Sequence, residues 1–194
     1  MTLRVDLAQI AEWVAPGSRV LDLGCGDGSL LAHLRDARSC RGYGVEIDDD
    51  HVARCVSQAI NVVQQNLDAG LRMFGDNMFD TVVLSQTLQA MHNAEGILRE
   101  MARVARQGIV SFPNFGHWRH IVSLLAGRMP VSRTIPYQWY DTPNIHLCTL
   151  KDFEILAAKV GLVITGRTVL AEGRPVNVAP ALRATVAIYR FEAR

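Results

Sequence analysis

The stretch VLDLGCGDGSL, Val20–Leu30, sets an apolar burst and an acid ahead of three glycines at alternate positions. Val20–Leu23 suits a buried strand, and SLLAHLRD, which begins at Ser29, alternates as an amphipathic helix should. Gly24, Gly26 and Gly28 lie between them. Glycine belongs where backbone bends sharply and where a ligand must come close to the peptide plane, and the helix start beyond it offers unpaired N–H donors. Strand, glycine turn and helix in this order open a parallel α/β unit.

The rhythm repeats outward. GYGVEI reads as a second strand and DDDHVARCVSQA as a helix whose aspartates suit the positive end of the helix dipole. NVVQQ and FDTVVLS read as strands three and four. Asn93 to Val104 carries Ile97, Met101 and Val104 on one helical face, and GIVSFPN makes a fifth strand. Upstream, Leu7, Ile10, Ala11 and Val14 mark an opening helix stopped by Pro16-Gly17. Strands apolar throughout and alternating with amphipathic helices imply a sheet covered on both faces. At the far end Thr149-x-x-Asp152 resembles a capping box opening a helix that Gly161 closes. LVITGRTVL and RATVAIYRF then follow as two strands with no helix between them, hence antiparallel. The expected class is doubly wound α/β: a mostly parallel seven-stranded sheet ending in an antiparallel hairpin. The expected organisation is a single domain over residues 1–194, with an inserted cover or docking segment at about 115–148.

Composition narrows the function. Nearly half the residues are apolar and a fifth are charged, with a formal net charge of +1. That profile fits a globular protein without an overall field for nucleic acid. No run approaches a membrane span and no leader-like segment opens the chain, so a cytoplasmic protein is expected. Cys25, Cys40, Cys55 and Cys148 form no CxxC pair and have no histidines at zinc spacing, so neither disulfides nor a metal is expected.

The glycine spacing is D-x-G-x-G-x-G, and Asp22 stands two residues before the first glycine. A pyrophosphate site uses G-x-G-x-x-G, and a carboxylate at Asp22 would repel that ligand. It would accept an ammonium group, such as the amino acid end of S-adenosylmethionine. Glu46 ends the second strand, placed to accept ribose hydroxyls. Each carboxylate alone also fits a structural role; their order together favours an adenosine ligand. A nicotinamide oxidoreductase is disfavoured by Asp22, by the spacing and by the lack of room for a substrate domain.

With these residues and the terminal hairpin, nearly the full chain resembles a class I S-adenosylmethionine-dependent methyltransferase. The resemblance implies that Asp22, Gly24, Cys25, Gly26, Gly28, Glu46 and Ile47 line the ligand, with Ile47 against adenine. Asn66, Leu67, Asp68 and Ser85 complete the set. The chain departs from the superfamily at QQNLDAG, where Asn66 replaces the usual aspartate facing the adenine amino group. Ser85, Gln86, Thr87 and Gln89 follow the fourth strand, where methyl acceptors commonly sit. The amides can orient a substrate but cannot act as bases at neutral pH. The Asp/Asn-Pro-Pro-aromatic motif of nucleobase methyltransferases is absent. His117, His120, Tyr137, Tyr140, Asp141 and His146 are candidate bases, each also suited to a structural hydrogen bond. No catalytic residue is assigned. Trp118, Ile121, Val122 and Leu125 suggest that the segment holding His117 and His120 is chiefly a packing helix.

VLSQTLQ, SFPNFGHW, GRMP and PYQWYDTPNIHLCT, with the two earlier motifs, resemble the MetW family of methionine biosynthesis proteins. That resemblance implies a bacterial protein working beside homoserine O-acyltransferase, MetX. It further implies binding of S-adenosylmethionine or S-adenosylhomocysteine in a regulatory role or, alternatively, methylation of a small molecule. In the aromatic segment two prolines stiffen the chain and no glycine offers a hinge. Tyr137, Trp139 and Tyr140 are residue types that anchor protein interfaces, so this segment is expected to cover the ligand site and dock the acyltransferase.

Overall fold

The computed structural model describes residues 3–193. The glycine turn joins β1 (Arg19–Leu23) to α2 (Ser29–Arg38), after α1 (Val5–Trp13). Then come β2 (Arg41–Glu46), α3 (Asp49–Ser57), β3 (Val62–Gln64), β4 (Phe79–Ser85), α4 (Ala94–Val104) and β5 (Ala105–Pro113). The chain continues through α5 (Trp118–Leu125), α6 (Leu150–Lys159), β6 (Leu162–Ala171), β7 (Arg174–Pro175), α7 (Pro180–Arg183) and β8 (Val186–Ala193).

One eight-stranded sheet forms in the order β3-β2-β1-β4-β5-β8-β6-β7. The five strands from β3 to β5 are mutually parallel, and β8, β6 and β7 add antiparallel. The doubly wound, mostly parallel class with its terminal antiparallel pair is therefore as expected. Two details differ. Glu172 and Gly173 both take positive φ, 49° and 78°, a two-residue turn that folds Arg174–Pro175 back onto β6 as an eighth strand. The long strands β6 and β8 are also not joined without a helix, because Pro180, with φ preset for a first helical turn, opens the four-residue α7 between them.

Alternation along the strands divides the core. Leu21, Leu23, Val82, Leu84 and Val110 face α4 and α6, where they meet Leu98, Met101, Phe153 and Ala157. Val20, Val83 and Ile109 point the other way, against Ile10 of α1, Val14 just after it, and Leu30 and Leu34 of α2. Helix ends follow local chemistry. Asp48 Oδ1 accepts from His51 N at 2.9 Å, and Asn93 Oδ1 accepts from Gly96 N at 2.8 Å. Thr149 Oγ1 accepts from Asp152 N at 3.3 Å.

The segment between β5 and α6 contradicts one expectation. α5 does not pack through its apolar residues: Trp118, Ile121, Val122 and Leu125 are exposed, Leu125 at 84%. The buried residue of the helix is His120. A polar side chain substitutes for an apolar one because both ring nitrogens are satisfied. Nδ1 lies 3.3 Å from the Phe115 carbonyl, which can only accept, so Nδ1 carries the proton and Nε2 accepts from Ser132 Oγ at 3.1 Å. From residue 126 to 149 no helix or strand forms.

Candidate functional site

The C-terminal ends of β1, β2 and β4 converge, the place where open α/β sheets bind ligands. The glycine turn hangs from the tip of β2: Gly24 N and Cys25 N donate to the Val45 carbonyl at 2.8 and 3.1 Å. A side chain at Gly24 would collide with Thr87, its Cβ lying 2.6 Å from Thr87 Oγ1, so the turn seats directly on the loop after β4. Gly26 is the opposite case. Its φ is +56° and a Cβ there would meet nothing within 4 Å, so this peptide faces open space. Gly28 is the N-cap of α2.

Glu46 ties the turn to β2. Its Oε2 accepts from Gly26 N at 2.8 Å, while Oε1 accepts from Ile47 N at 2.8 Å and Asp48 N at 3.1 Å. With two lone pairs per oxygen, one position on Oε2 stays open. A diol can therefore gain one hydrogen bond from Glu46 directly, and a second requires one of these amides to yield. Ile47 beside it is 60% exposed, a free apolar surface for a flat ring.

Asp22 is 3% exposed, and no hydrogen bond satisfies its carboxylate among the described residues. Burial lifts its pKa from the ordinary carboxylate range to about 7; the Arg4 guanidinium draws it down and the Glu46 carboxylate pushes it further up. An unpaired buried carboxylate is costly unless a cation arrives. An ammonium at Asp22, a diol at Glu46, a flat ring on Ile47 and backbone approach at Gly26 together fit an adenosine that carries an amino acid.

Other expected residues turn elsewhere. The Cys25 thiol points away from the open side of the turn, 3.8 Å from Cys55 Sγ and under Gly44, where burial raises its pKa. Only the Cys25 backbone is left for a ligand. The Leu67 side chain belongs to the core. Asp68 braces the loop after β4, accepting from His92 N at 3.0 Å and pairing with the His92 ring at 2.8 Å. Asn66 Oδ1 accepts from Asp68 N at 2.9 Å, which leaves its amide NH₂ and one lone pair. Ser85 Oγ lies 3.0 Å from Ser111 Oγ and takes a hydrogen bond from Arg4 Nη2 at 3.1 Å. Sequence reasoning passed over Arg4 and Ser111. Arg4 stands 81 positions from Ser85, so no local pattern links them.

Beyond the turn, Gln86 has φ +56°, and Gln89 Nε2 donates to the Gln86 carbonyl at 2.7 Å. Gln86 Nε2 and Gln89 Oε1 are buried without partners among the described residues. Gln89 also lines a small cavity, with Phe115, Ile135, Asn144, His146 and Cys148. His117 caps α5, its Nδ1 accepting from Arg119 N at 3.3 Å, and burial with nearby His120 and Arg119 lowers its pKa. Tyr137, Trp139 and Tyr140 are exposed, the last two at 71% and 70%, their rings meeting edge to face at 5.7 Å. His146 is exposed as well. Among the described residues no three His, Cys, Asp or Glu side chains cluster to hold a metal ion, and no helix is long and apolar enough to cross a membrane.

Sheet order, terminal antiparallel strands and glycine-turn site define the Rossmann-like fold of S-adenosylmethionine-dependent methyltransferases. Solved structures agree on the fold. A methyltransferase of this kind from Archaeoglobus fulgidus superposes with a TM-score of 0.72 at 14% identity, over 96% of this chain and 91% of that one. A TehB-like one from Corynebacterium glutamicum gives 0.67 at 16% identity, over 100% and 89%. Within that class the chain belongs to the MetW family: the family described as methionine biosynthesis protein MetW matches residues 4–191. A relative in Rhodopirellula baltica, the bifunctional methionine biosynthesis protein MetXA/MetW, is 38% identical over 176 residues. The match covers 84% of this chain and 28% of that relative, so the chain spans less than a third of the relative's length.

Proposed function

We propose that this protein binds S-adenosylmethionine and S-adenosylhomocysteine at the glycine turn and supports or regulates homoserine O-acyltransferase. The observation that carries the ligand is Asp22, a buried carboxylate without a hydrogen bond among the described residues, beside an open backbone at Gly26 and a diol acceptor at Glu46. The partner is supported by the Rhodopirellula relative, whose single chain bears both the MetXA and the MetW name. Fusion keeps two functions at high effective concentration, which is useful where they must meet.

The apolar face of α5, with Met129, Val131, Trp139, Tyr140, Ile145 and Leu147, is the docking surface in this reading. Exposed apolar side chains in this number are a feature of protein contact surfaces. The partner is a protein, not nucleic acid or a membrane, and the setting is cytoplasmic. Residues 1–194 act as one domain, with the segment at about 115–148 as its cover and docking insertion.

A second reading, an active methyltransferase on a small molecule, is favoured by the amide atoms of Gln86 and Gln89 after β4, which are buried without partners among the described residues. When bound, S-adenosylmethionine would supply the electrophilic methyl group. The amides would orient an acceptor; His120, with both ring nitrogens engaged, is not available as a base.

The deciding experiment measures homoserine acylation by the acyltransferase with and without this protein across a titration of S-adenosylmethionine. A rate that depends on the protein and shifts with ligand supports the regulatory reading. A rate indifferent to the protein, with methyl transfer to an identified small molecule, supports the second.

A further inference from the structure

At the end of the strands away from the glycine turn, a cavity of about 210 Å³ opens between α2 and the starts of β1 and β2. Val20, Leu31, Leu34, Cys40 and Ile60 form its walls, all of them buried. The local structure keeps this space from filling. Gly42, on its floor, cannot carry a side chain, because a Cβ there would lie 2.3 Å from the Val20 carbonyl oxygen. Leu31 Cδ1 lies 3.4 Å from the place a Gly44 Cβ would take, and Ile60 Cγ1 lies 3.3 Å from that of Gly28. Both side chains would forfeit these contacts by leaning into the cavity.

The rim is polar and basic. Arg35 spans it from α2 to the turn after α3, where Nη1 donates to the Gln58 carbonyl at 2.9 Å, and Asp36 meets its charge at 2.7 Å. Arg41 is exposed and makes no ion pair among the described residues. Asn61, the remaining polar side chain of the lining, is neutral, so no acid faces the cavity. We propose that this cavity is a second ligand site, for a small apolar monocarboxylate whose chain lies against α2 and whose carboxylate pairs with Arg41. Apolar cavities of about 150 Å³ take up benzene, so this one admits a chain of roughly six carbons. Arginine suits the carboxylate end because its planar fork can offer two parallel bonds. An amine of the same length would meet two guanidinium groups and no acid of the lining. The site stands apart from the adenosyl-ligand reading, since none of its lining residues belongs to that site. The competing view is that the space holds only solvent and that Arg41 is simply hydrated.

Methyl-resolved NMR titration of the purified protein separates these, with hexanoate, 1-hexanol and hexylamine as probes that share a chain and differ in charge. Hexanoate should shift the Val20, Leu31, Leu34 and Ile60 methyl resonances saturably, with a Kd of about 1 mM or tighter for a ligand of this size. The methyls of Leu98, packed on the opposite face of the sheet, should stay still. 1-Hexanol should bind at least about threefold more weakly, and hexylamine more weakly again. Arg41→Gln should weaken hexanoate roughly three- to tenfold, between the worth of an exposed ion pair and that of a charge-assisted hydrogen bond. It should leave 1-hexanol within about twofold, since that probe has no charge to lose a partner. Arg41→Lys, which keeps the charge, should retain part of the preference for hexanoate. Leu34→Phe, which fills the cavity, should abolish the shifts for every probe; should that variant unfold, the two Arg41 variants, at an exposed position, carry the comparison. No saturable shift at these methyls, or shifts at Ile121 and Leu125 of α5 instead, overturns the site. Equal affinity for the three probes, or an unchanged hexanoate affinity in Arg41→Gln, overturns the carboxylate assignment.

Discussion

The glycine turn and the segment after β5 spend polar and apolar groups in opposite ways. At the turn, carboxylates are buried: Asp22 and Glu46 are almost inaccessible, and Glu46 takes three backbone amides. After β5, a histidine is buried while tryptophan, tyrosine and leucine side chains face outward. The turn is built around a carboxylate with no hydrogen bond among the described residues, the segment around exposed apolar side chains. In the function proposed above, the first takes a small cation and the second a protein surface.

If that contrast is right, substitutions of similar size should register in different experiments. The largest effect is expected at the turn. Asp22→Ala and Glu46→Ala should each weaken S-adenosylhomocysteine by about 1–3 kcal/mol, measured by calorimetry, as for loss of a charge-assisted hydrogen bond. Glu46→Ala should also lower the melting temperature, because three amides lose their acceptor.

In the outer segment, Trp139→Ala with Tyr140→Ala should cost the acyltransferase complex about 2 kcal/mol or more if these rings are anchors. Stability should change by no more than about 0.5 kcal/mol, the range for exposed positions. A pull-down with purified acyltransferase and a thermal melt check both halves. An unfolded double variant would mean that the rings belong to the core, which would dissolve the comparison.

A smaller effect is expected from pH. The Asp22 carboxyl, raised to about 7 by burial, faces Arg4 and Glu46 and must be ionised to hold an ammonium. Ligand affinity should therefore fall as pH drops below about 7, approaching about 1.4 kcal/mol per pH unit. Asp22→Asn should remove that slope. The same raised pKa has the opposite sign for the unliganded fold. Between the ordinary carboxylate pKa near 4 and about 7 the folded state holds the extra proton, so this group's contribution to stability declines as pH rises through that window.

The smallest effect is expected at Cys148, a partly buried thiol whose pKa burial raises to about 12. Cys148→Ser should leave ligand binding within about 0.5 kcal/mol. The purified protein should contain no stoichiometric zinc by elemental analysis.

What was legible in the sequence was local. The glycine turn, Asp22 and Glu46 are neighbours along β1 and β2, so spacing alone places them at adjacent strand ends. The cap at Thr149 is read from a few consecutive residues. What escaped depends on distant pairing. Arg4 meets Ser85 only because α1 packs back across the sheet, and Asp68 is claimed by His92, 24 residues on. The apolar stripe of α5 was visible, but periodicity says only that a face is apolar and not which face meets the core. There the burial of His120 decided the outcome.

Gln89 carries a further consequence. Its backbone carbonyl accepts from both Ile145 N, at 2.8 Å, and His146 N, at 2.9 Å, so one oxygen moors the end of the aromatic segment. The loop that holds Gln89 also holds Thr87, against which Gly24 is seated. Two amides that share one acceptor open together: a shift of the Leu88–Ala90 turn exposes both to solvent exchange at once, while no shift of the segment's outer rings need expose either. The Ile145 and His146 amide protons thus form a paired reporter, far along the chain from the glycine turn, of how firmly that turn is seated.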